Sequence, residues 1–131
     1  MEALDTNILV RLATRDDKRQ FAKTNDFVRT QFSSSSPAWV SIIVLVEYVW
    51  VLSSLYGYSR HEIAFSVSQL LNADSFQVED HQLVVTALSY FNGSKADLSD
   101  CLILARNKSR SISPTHTLDR NAAKLEGFQL L

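Results

Sequence analysis

Short segments with strand character alternate with longer segments of helical periodicity along the whole chain, and this alternation limits the folds that the chain can adopt. Five segments predict strands: ALD, AWVS, SFQVE, THTL and FQLL. The segments between them carry apolar residues at helical spacing. Ser41 is predicted to cap the helix that runs to about Gly57, Ser59 the helix after it, and DRNAAKLE is predicted to be a short helix. Alternation of this kind favours an α/β fold, and we predict a three-layer α/β/α sandwich around a central, mostly parallel sheet.

The size and composition of the chain predict one soluble globular domain that covers residues 1–131. Its hydrophobic fraction of 46% and charged fraction of 21% are ordinary for such a domain. The single cysteine, Cys101, excludes an internal disulfide and suits a reducing compartment, so we expect a cytoplasmic protein. No secretory signal is visible, and no apolar run reaches the length of a membrane span. The net charge of -1 gives no general attraction to nucleic acid but leaves room for local basic patches.

One acidic residue, Glu47, stands in the middle of the apolar segment SIIVLVEYVWVL. An ionised carboxylate in an apolar interior costs several kcal/mol unless something compensates it. Glu47 therefore needs water, a basic partner or a metal ion. An ion pair with Arg11 or Arg106 is one interpretation, and a metal site is the other.

Further acids follow predicted strands or begin a predicted helix. Asp5 ends the first predicted strand, and Asp119 follows THTL, so both are expected at the carboxyl end of a sheet, where α/β folds bind ligands. Asp97 and Asp100 lie three residues apart and share a face of one helix. Asp5, Asp97 and Asp119 also have the simpler interpretation of helix N-caps. The segment CLILA after Asp100 predicts a buried helix end.

A cluster of these carboxylates would be stabilised by a divalent cation, because like charges at one sheet edge repel and raise one another's pKa values. Mg²⁺ and Mn²⁺ prefer oxygen ligands, and such ions activate water and stabilise the leaving oxygen of a phosphodiester. We therefore predict a Mg²⁺ or Mn²⁺ site in which the metal makes the burial of Glu47 tolerable.

Four motifs in order resemble those of PIN-domain nucleases, and in particular the toxin ribonucleases of VapBC toxin–antitoxin modules. They are LDTNILVRL, the apolar helix with VEYVWVL, KADLSDCLILA, and TLDRNAAKLEGF, and they span nearly the whole chain. The resemblance implies a PIN-like fold, dependence on Mg²⁺ or Mn²⁺, and an RNA substrate. It also implies a homodimer and a cognate VapB-type antitoxin.

The resemblance also implies a role for individual residues. Metal ligation and catalysis fall to Asp5, Glu47, Asp100 and Asp119, with support from Asn7, Asp97 and Thr117. The reaction implied is hydrolysis of an RNA phosphodiester by a metal-activated water, which leaves a 5′-phosphate and a 3′-hydroxyl. Leu118 stands where members of the family usually carry an aromatic residue, and we expect this difference to change core packing without removing activity.

Two other functions remain open at this point. A metal-dependent phosphohydrolase of small molecules would also use clustered acids, but a phosphoaspartate enzyme usually has a second acid where this chain has Asn7. A non-catalytic PIN-like binding module would be favoured by loss of the acids, which are all present. For the homodimer, the aromatic residues Trp50, Tyr56, Tyr58 and Phe65 are expected to be exposed, the alternative being that they form core.

Overall fold

The computed structural model describes residues 1–131, and the chain divides into two compact units. The first unit is Met1–Glu79 and the second is Asp80–Leu131. The prediction of one domain over residues 1–131 is not decided by this division and stays a prediction. No helix combines the length and the apolar character needed to cross a membrane.

The first unit contains four helices and a parallel strand pair. The helices are α1 (Thr6–Thr14), α2 (Lys18–Gln31), α3 (Ile42–Ser54) and α4 (Arg60–Asn72), and the strands are β1 (Ala38–Val40) and β2 (Phe76–Val78). Ala38 pairs with Phe76 and Val40 with Val78. The predicted first strand, ALD, is reduced to a single parallel bridge between Ala3 and Trp39. Leu9, Leu45, Leu52, Val40 and Val67 are the largest fully buried side chains of this unit.

Side-chain caps start the helices of the first unit where the sequence predicts them. Ser41 caps α3 by accepting from the Val44 backbone N–H, and Ser59 forms a capping box with Glu62 at the start of α4. Because β1 ends at Val40 and α3 begins at Ile42, the strand end leads directly into the helix that carries Glu47. The helix ends at Ser54, three residues before Gly57, whose φ of 66° is the left-handed conformation that glycine adopts without strain.

The second unit contains two helices, a parallel strand pair and a short 3₁₀ turn. These are α5 (His81–Asn92), α6 (Leu98–Ser109), β3 (Thr115–Thr117), the turn Ala122–Lys124 and β4 (Phe128–Leu130). Thr115 pairs with Phe128 and Thr117 with Leu130, both in parallel register. The predicted helix DRNAAKLE is thus only one 3₁₀ turn. Val84, Cys101 and Leu104 are fully buried here, and the fold class is α/β with parallel strand pairs, as predicted.

Candidate metal centre and active site

Helix α6 places two carboxylates on one face at its first turn. Asp97 occupies the N-cap position with extended backbone, yet its side chain makes no capping hydrogen bond. Asp100 lies three residues later, in the first turn of the same helix. Asp97 is therefore at the position that the cap interpretation predicts, but its carboxylate is left for another partner.

The turn after β3 holds Asp119 in a fixed orientation. Its Oδ1 accepts hydrogen bonds from the backbone N–H groups of Asn121, at 2.8 Å, and Ala122, at 2.9 Å. Its own backbone N–H donates to the hydroxyl oxygen of Thr117 at 3.0 Å. These bonds engage one carboxylate oxygen and restrict rotation of the side chain, so the second oxygen has a defined direction.

Asp97, Asp100 and Asp119 form an acidic triad, since one carboxylate oxygen from each lies within 4.8 Å of the others. Asp97 and Asp119 are exposed and Asp100 is half-buried. Burial raises the pKa of the Asp100 carboxyl, and the negative charges of Asp97 and Asp119 raise it further. The three carboxylates thus repel one another, and a bound cation would relieve this repulsion.

The donor set of the triad fits a hard divalent cation. All three side chains offer carboxylate oxygens, which Mg²⁺ and Mn²⁺ prefer over nitrogen or sulfur donors. Ligands on opposite sides of a bound Mg²⁺ lie roughly 4.2 Å apart, because each Mg–O distance is about 2.1 Å. The separations of up to 4.8 Å are therefore within a small side-chain rotation of direct coordination.

Asp5, in the first unit, caps helix α1. Its side chain accepts a hydrogen bond from the Thr6 backbone N–H at 2.8 Å, and its backbone is extended. The side chain is exposed. Asp5 is therefore the N-cap of α1, as the cap interpretation predicts. The capping hydrogen bond uses only one of its two carboxylate oxygens.

Glu47 is exposed to solvent, which corrects the expectation that its carboxylate is buried. The outer face of α3 is apolar but uncovered in the single chain, with Ile43 at 71% and Trp50 at 60% exposure. Neither candidate ion-pair partner is available, because Arg11 pairs with Asp16 and Arg106 pairs with Asp80. Glu47 therefore needs no metal for its solvation, and its hydrogen bonds are the better guide to its role.

Thr6 connects the two acids of the first unit and was missed in the sequence. Its backbone N–H donates to Asp5, and its hydroxyl donates to Glu47 Oε1 at 3.3 Å. Thr6 itself is buried, so the two groups that donate these hydrogen bonds are held in place. The motif DTN was the available signal, but a threonine after a capping aspartate is also ordinary helix-start chemistry. Asn7, predicted to support the metal site, is exposed on the next position of α1.

The predicted site residues therefore fall into two local groups. Asp5 and Glu47 share Thr6 in the first unit, and Asp97, Asp100 and Asp119 form the triad in the second, with Thr117 bonded to the Asp119 backbone. Leu118 is 77% exposed, so the expectation that it alters core packing is wrong.

Comparison with known proteins places these motifs in a family. The family model described as PIN domain matches residues 3–127. The chain is also similar to the VapC ribonuclease of Aquifex aeolicus (strain VF5), with 24% identity over 129 residues that cover 98% of this chain and 94% of that protein. The family match covers nearly the whole chain, including all five acids and Thr6. The chain therefore belongs to the PIN domain family.

Proposed function

We propose that the protein is a Mg²⁺- or Mn²⁺-dependent endoribonuclease and the toxin of a type II toxin–antitoxin module. The observation that carries the proposal is the acidic triad, in which three carboxylates lie within 4.8 Å in a chain of the PIN domain family. The similarity to a VapC ribonuclease along almost the full length of both chains supports RNA as the substrate. The supported reaction is hydrolysis of a phosphodiester bond.

In this proposal the triad holds the cation, and Asp5 and Glu47 serve the same reaction. A divalent cation held there would supply a more acidic water as the nucleophile and would neutralise charge at the leaving oxygen. Asp119 presents one oxygen in a direction fixed by the two backbone N–H groups on the other. Thr6 orients Asp5 and Glu47, whose remaining oxygens can accept a proton or a hydrogen bond from water.

The experiment that tests the proposal is cleavage of total RNA with end mapping. Purified protein is incubated with RNA and Mg²⁺ or Mn²⁺, with EDTA and Asp100→Asn as parallel arms. We expect cation-dependent cuts that leave 5′-phosphate and 3′-hydroxyl ends, and no cuts in the EDTA and variant arms. Intact RNA with hydrolysis of small phosphate esters would favour a phosphohydrolase instead, and activity in EDTA would contradict the cation requirement.

The proposal includes a homodimer, a VapB-type antitoxin and a cytoplasmic location. Its support is the uncovered apolar surface of the first unit, where Trp50 on α3 and Phe65 on α4 are 60% and 61% exposed, whereas Tyr56 and Tyr58 are only partly exposed. The single buried cysteine suits a reducing compartment. Light scattering tests the dimer: we expect twice the 14.8 kDa of one chain, and a monomer at micromolar concentration would contradict it.

A further inference from the structure

The surface between α1 and α2 of the first unit forms a groove of about 420 Å³ whose lining includes none of the five acids of the candidate site. Its volume lies within the range of ordinary ligand sites. The groove is lined by side chains at helical spacing on both helices: Asn7, Ile8, Arg11, Gln20, Lys23, Thr24 and Phe27. No acidic residue lines it, although the chain as a whole carries a net charge of -1. The lining therefore contributes two cations, Arg11 and Lys23, and no carboxylate.

The cations of the groove differ in availability. Lys23 is exposed and takes part in neither of the two ion pairs of the structure. Arg11 donates to Asp16 and to the Tyr56 hydroxyl, both at 3.2 Å, so part of its charge is already compensated. Lys23 is thus the main candidate for contact with an anion. Arg11 contributes a weaker positive electrostatic potential, because its charge is partly compensated by Asp16.

The groove also presents an aromatic ring and two amides. Phe27 is 44% exposed, and its ring meets the buried Phe32 edge-on at 5.7 Å, which fixes its orientation. Asn7 and Gln20 are exposed and offer both hydrogen-bond donors and acceptors. An exposed ring, an unpaired cation and amide groups together match a nucleotide, whose base stacks, whose phosphate is anionic and whose base edge forms hydrogen bonds.

The position of the groove fits this ligand. Asn7 follows Asp5 by two residues at the start of α1, so the groove begins beside a predicted catalytic acid. Along α2, Gln20 and Phe27 are separated by about 10 Å at 1.5 Å per residue, which is the scale of one to two nucleotides. We propose that this groove is a subsite for single-stranded RNA, in which one base stacks on Phe27 and a phosphate contacts Lys23. The inference rests on the ribonuclease proposed above.

Binding of a fluorescein-labelled short single-stranded RNA, measured by anisotropy in EDTA, tests the subsite. We expect Phe27→Leu to weaken binding roughly five- to tenfold, and Phe27→Trp to restore it, because stacking on a π-face accounts for most of the effect. Lys23→Gln should reduce the slope of log affinity against log salt by about 0.7. Lys18→Gln, at an exposed position of α2 outside the groove, is the matched control for Lys23→Gln.

An abasic scan of the same RNA identifies the stacked base. In the wild-type protein, removal of one particular base should weaken binding, and in Phe27→Leu that penalty should disappear, since the two changes remove the same contact. In cleavage assays with Mn²⁺, Phe27→Leu should raise KM with little change in kcat. Thermal melts of all variants exclude loss of fold as the cause.

The outcomes separate the subsite from the proposed function. If wild-type protein cleaves RNA and Phe27→Leu and Lys23→Gln match it in affinity, salt slope and KM, the subsite is overturned and the ribonuclease stands. If the wild-type protein neither binds nor cleaves RNA, both proposals are wrong. An equal reduction of the salt slope by Lys18→Gln and Lys23→Gln would also overturn the subsite, because it would show no preference for this groove.

Discussion

Replacing Asp100 with asparagine should stabilise the metal-free protein, although it removes a charged group from the candidate site. The half-buried Asp100 carboxylate lies within 4.8 Å of two other carboxylates, and its pKa is raised by burial and by their charges. Asparagine keeps the shape and the hydrogen-bonding capacity but removes the negative charge. The variant therefore relieves repulsion in the absence of a cation.

The size of the effect follows from two opposing interactions. Two unit charges 4.8 Å apart repel by about 0.9 kcal/mol in bulk water, so Asp100 loses roughly 2 kcal/mol of repulsion against its two neighbours, less what salt screens. Against this, a carboxylate in the first turn of a helix is favoured by about 0.3–1 kcal/mol, which asparagine forfeits. The lost repulsion outweighs the lost helix-end stabilisation, and the net gain in the free energy of unfolding is about 1 kcal/mol.

Thermal denaturation at neutral pH measures this gain, first in EDTA and then with Mn²⁺. We expect the variant to melt roughly 3–5 °C above wild type in EDTA. Mn²⁺ should raise the melting temperature of wild type and leave that of the variant almost unchanged, because ligand binding stabilises only a fold that binds it. The order of the two proteins should therefore reverse on adding the ion.

The pH dependence of stability provides a second check that the Asp100 charge destabilises the metal-free fold. Because the folded-state pKa of Asp100 is raised, the folded protein binds its proton more tightly than the unfolded chain does. Wild-type stability from this group therefore increases as pH falls from neutrality toward the unfolded value near 3.8. Across the same window the advantage of Asp100→Asn should shrink, since wild-type Asp100 then becomes neutral as well.

Asp26→Asn is the control, because Asp26 is an exposed carboxylate on α2 that takes part in no ion pair. It should change the melting temperature little with or without Mn²⁺. The reasoning is refuted if Asp100→Asn is clearly destabilised in EDTA while it still cleaves RNA at the wild-type rate. Asp100 would then be a structural residue of α6 and not a ligand.

Three further predictions concern Asp5, Thr6 and Glu47 in the first unit. Asp5→Asn should keep the cap of α1 and lose RNA cleavage, whereas Asp5→Ala should lose both, at about 1 kcal/mol of stability; melts and cleavage assays on the pair separate the two roles. Thr6→Val should lower cleavage by freeing Glu47 and Thr6→Ser should restore it, and equal activity in both variants would show that the hydroxyl has no role. Because Glu47 is exposed, Glu47→Gln should change the free energy of unfolding in EDTA by no more than about 0.5 kcal/mol. Both Glu47→Gln and Glu47→Lys should impair cleavage. A large loss of stability with normal cleavage would show that Glu47 has a structural role.

The strands and helix starts were predictable because local chemistry decides them. AWVS and SFQVE became β1 and β2, and Ser41 and Ser59 cap the helices that the sequence places after them. Helix ends were less predictable: α3 ends at Ser54, before the left-handed Gly57 that was expected to mark its end. The segment DRNAAKLE has good helix formers but forms one 3₁₀ turn, since β4 begins only four residues after Lys124.

The exposure of Glu47 was not predictable from the apolar segment around it. An apolar helix face is usually covered, but its hydrophobicity does not show whether the same chain or a partner covers it. The face of α3 that carries Ile43 and Trp50 is uncovered in the single chain. The acids Asp97, Asp100 and Asp119 were predictable as candidates because spacing and strand ends place them. The hydroxyl of Thr6 was not, because its contact with Glu47 joins residues 41 positions apart.

The central claim is that the acidic triad binds the divalent cation that RNA cleavage requires. Mn²⁺ binding by electron paramagnetic resonance, measured in the same titration as RNA cleavage, tests it most directly. In wild type the two curves should coincide, and in Asp119→Asn both should move together to higher Mn²⁺ concentration, because one ligand is lost. Cleavage that proceeds at the wild-type rate in Asp119→Asn, or that saturates where no Mn²⁺ is bound, would contradict the claim.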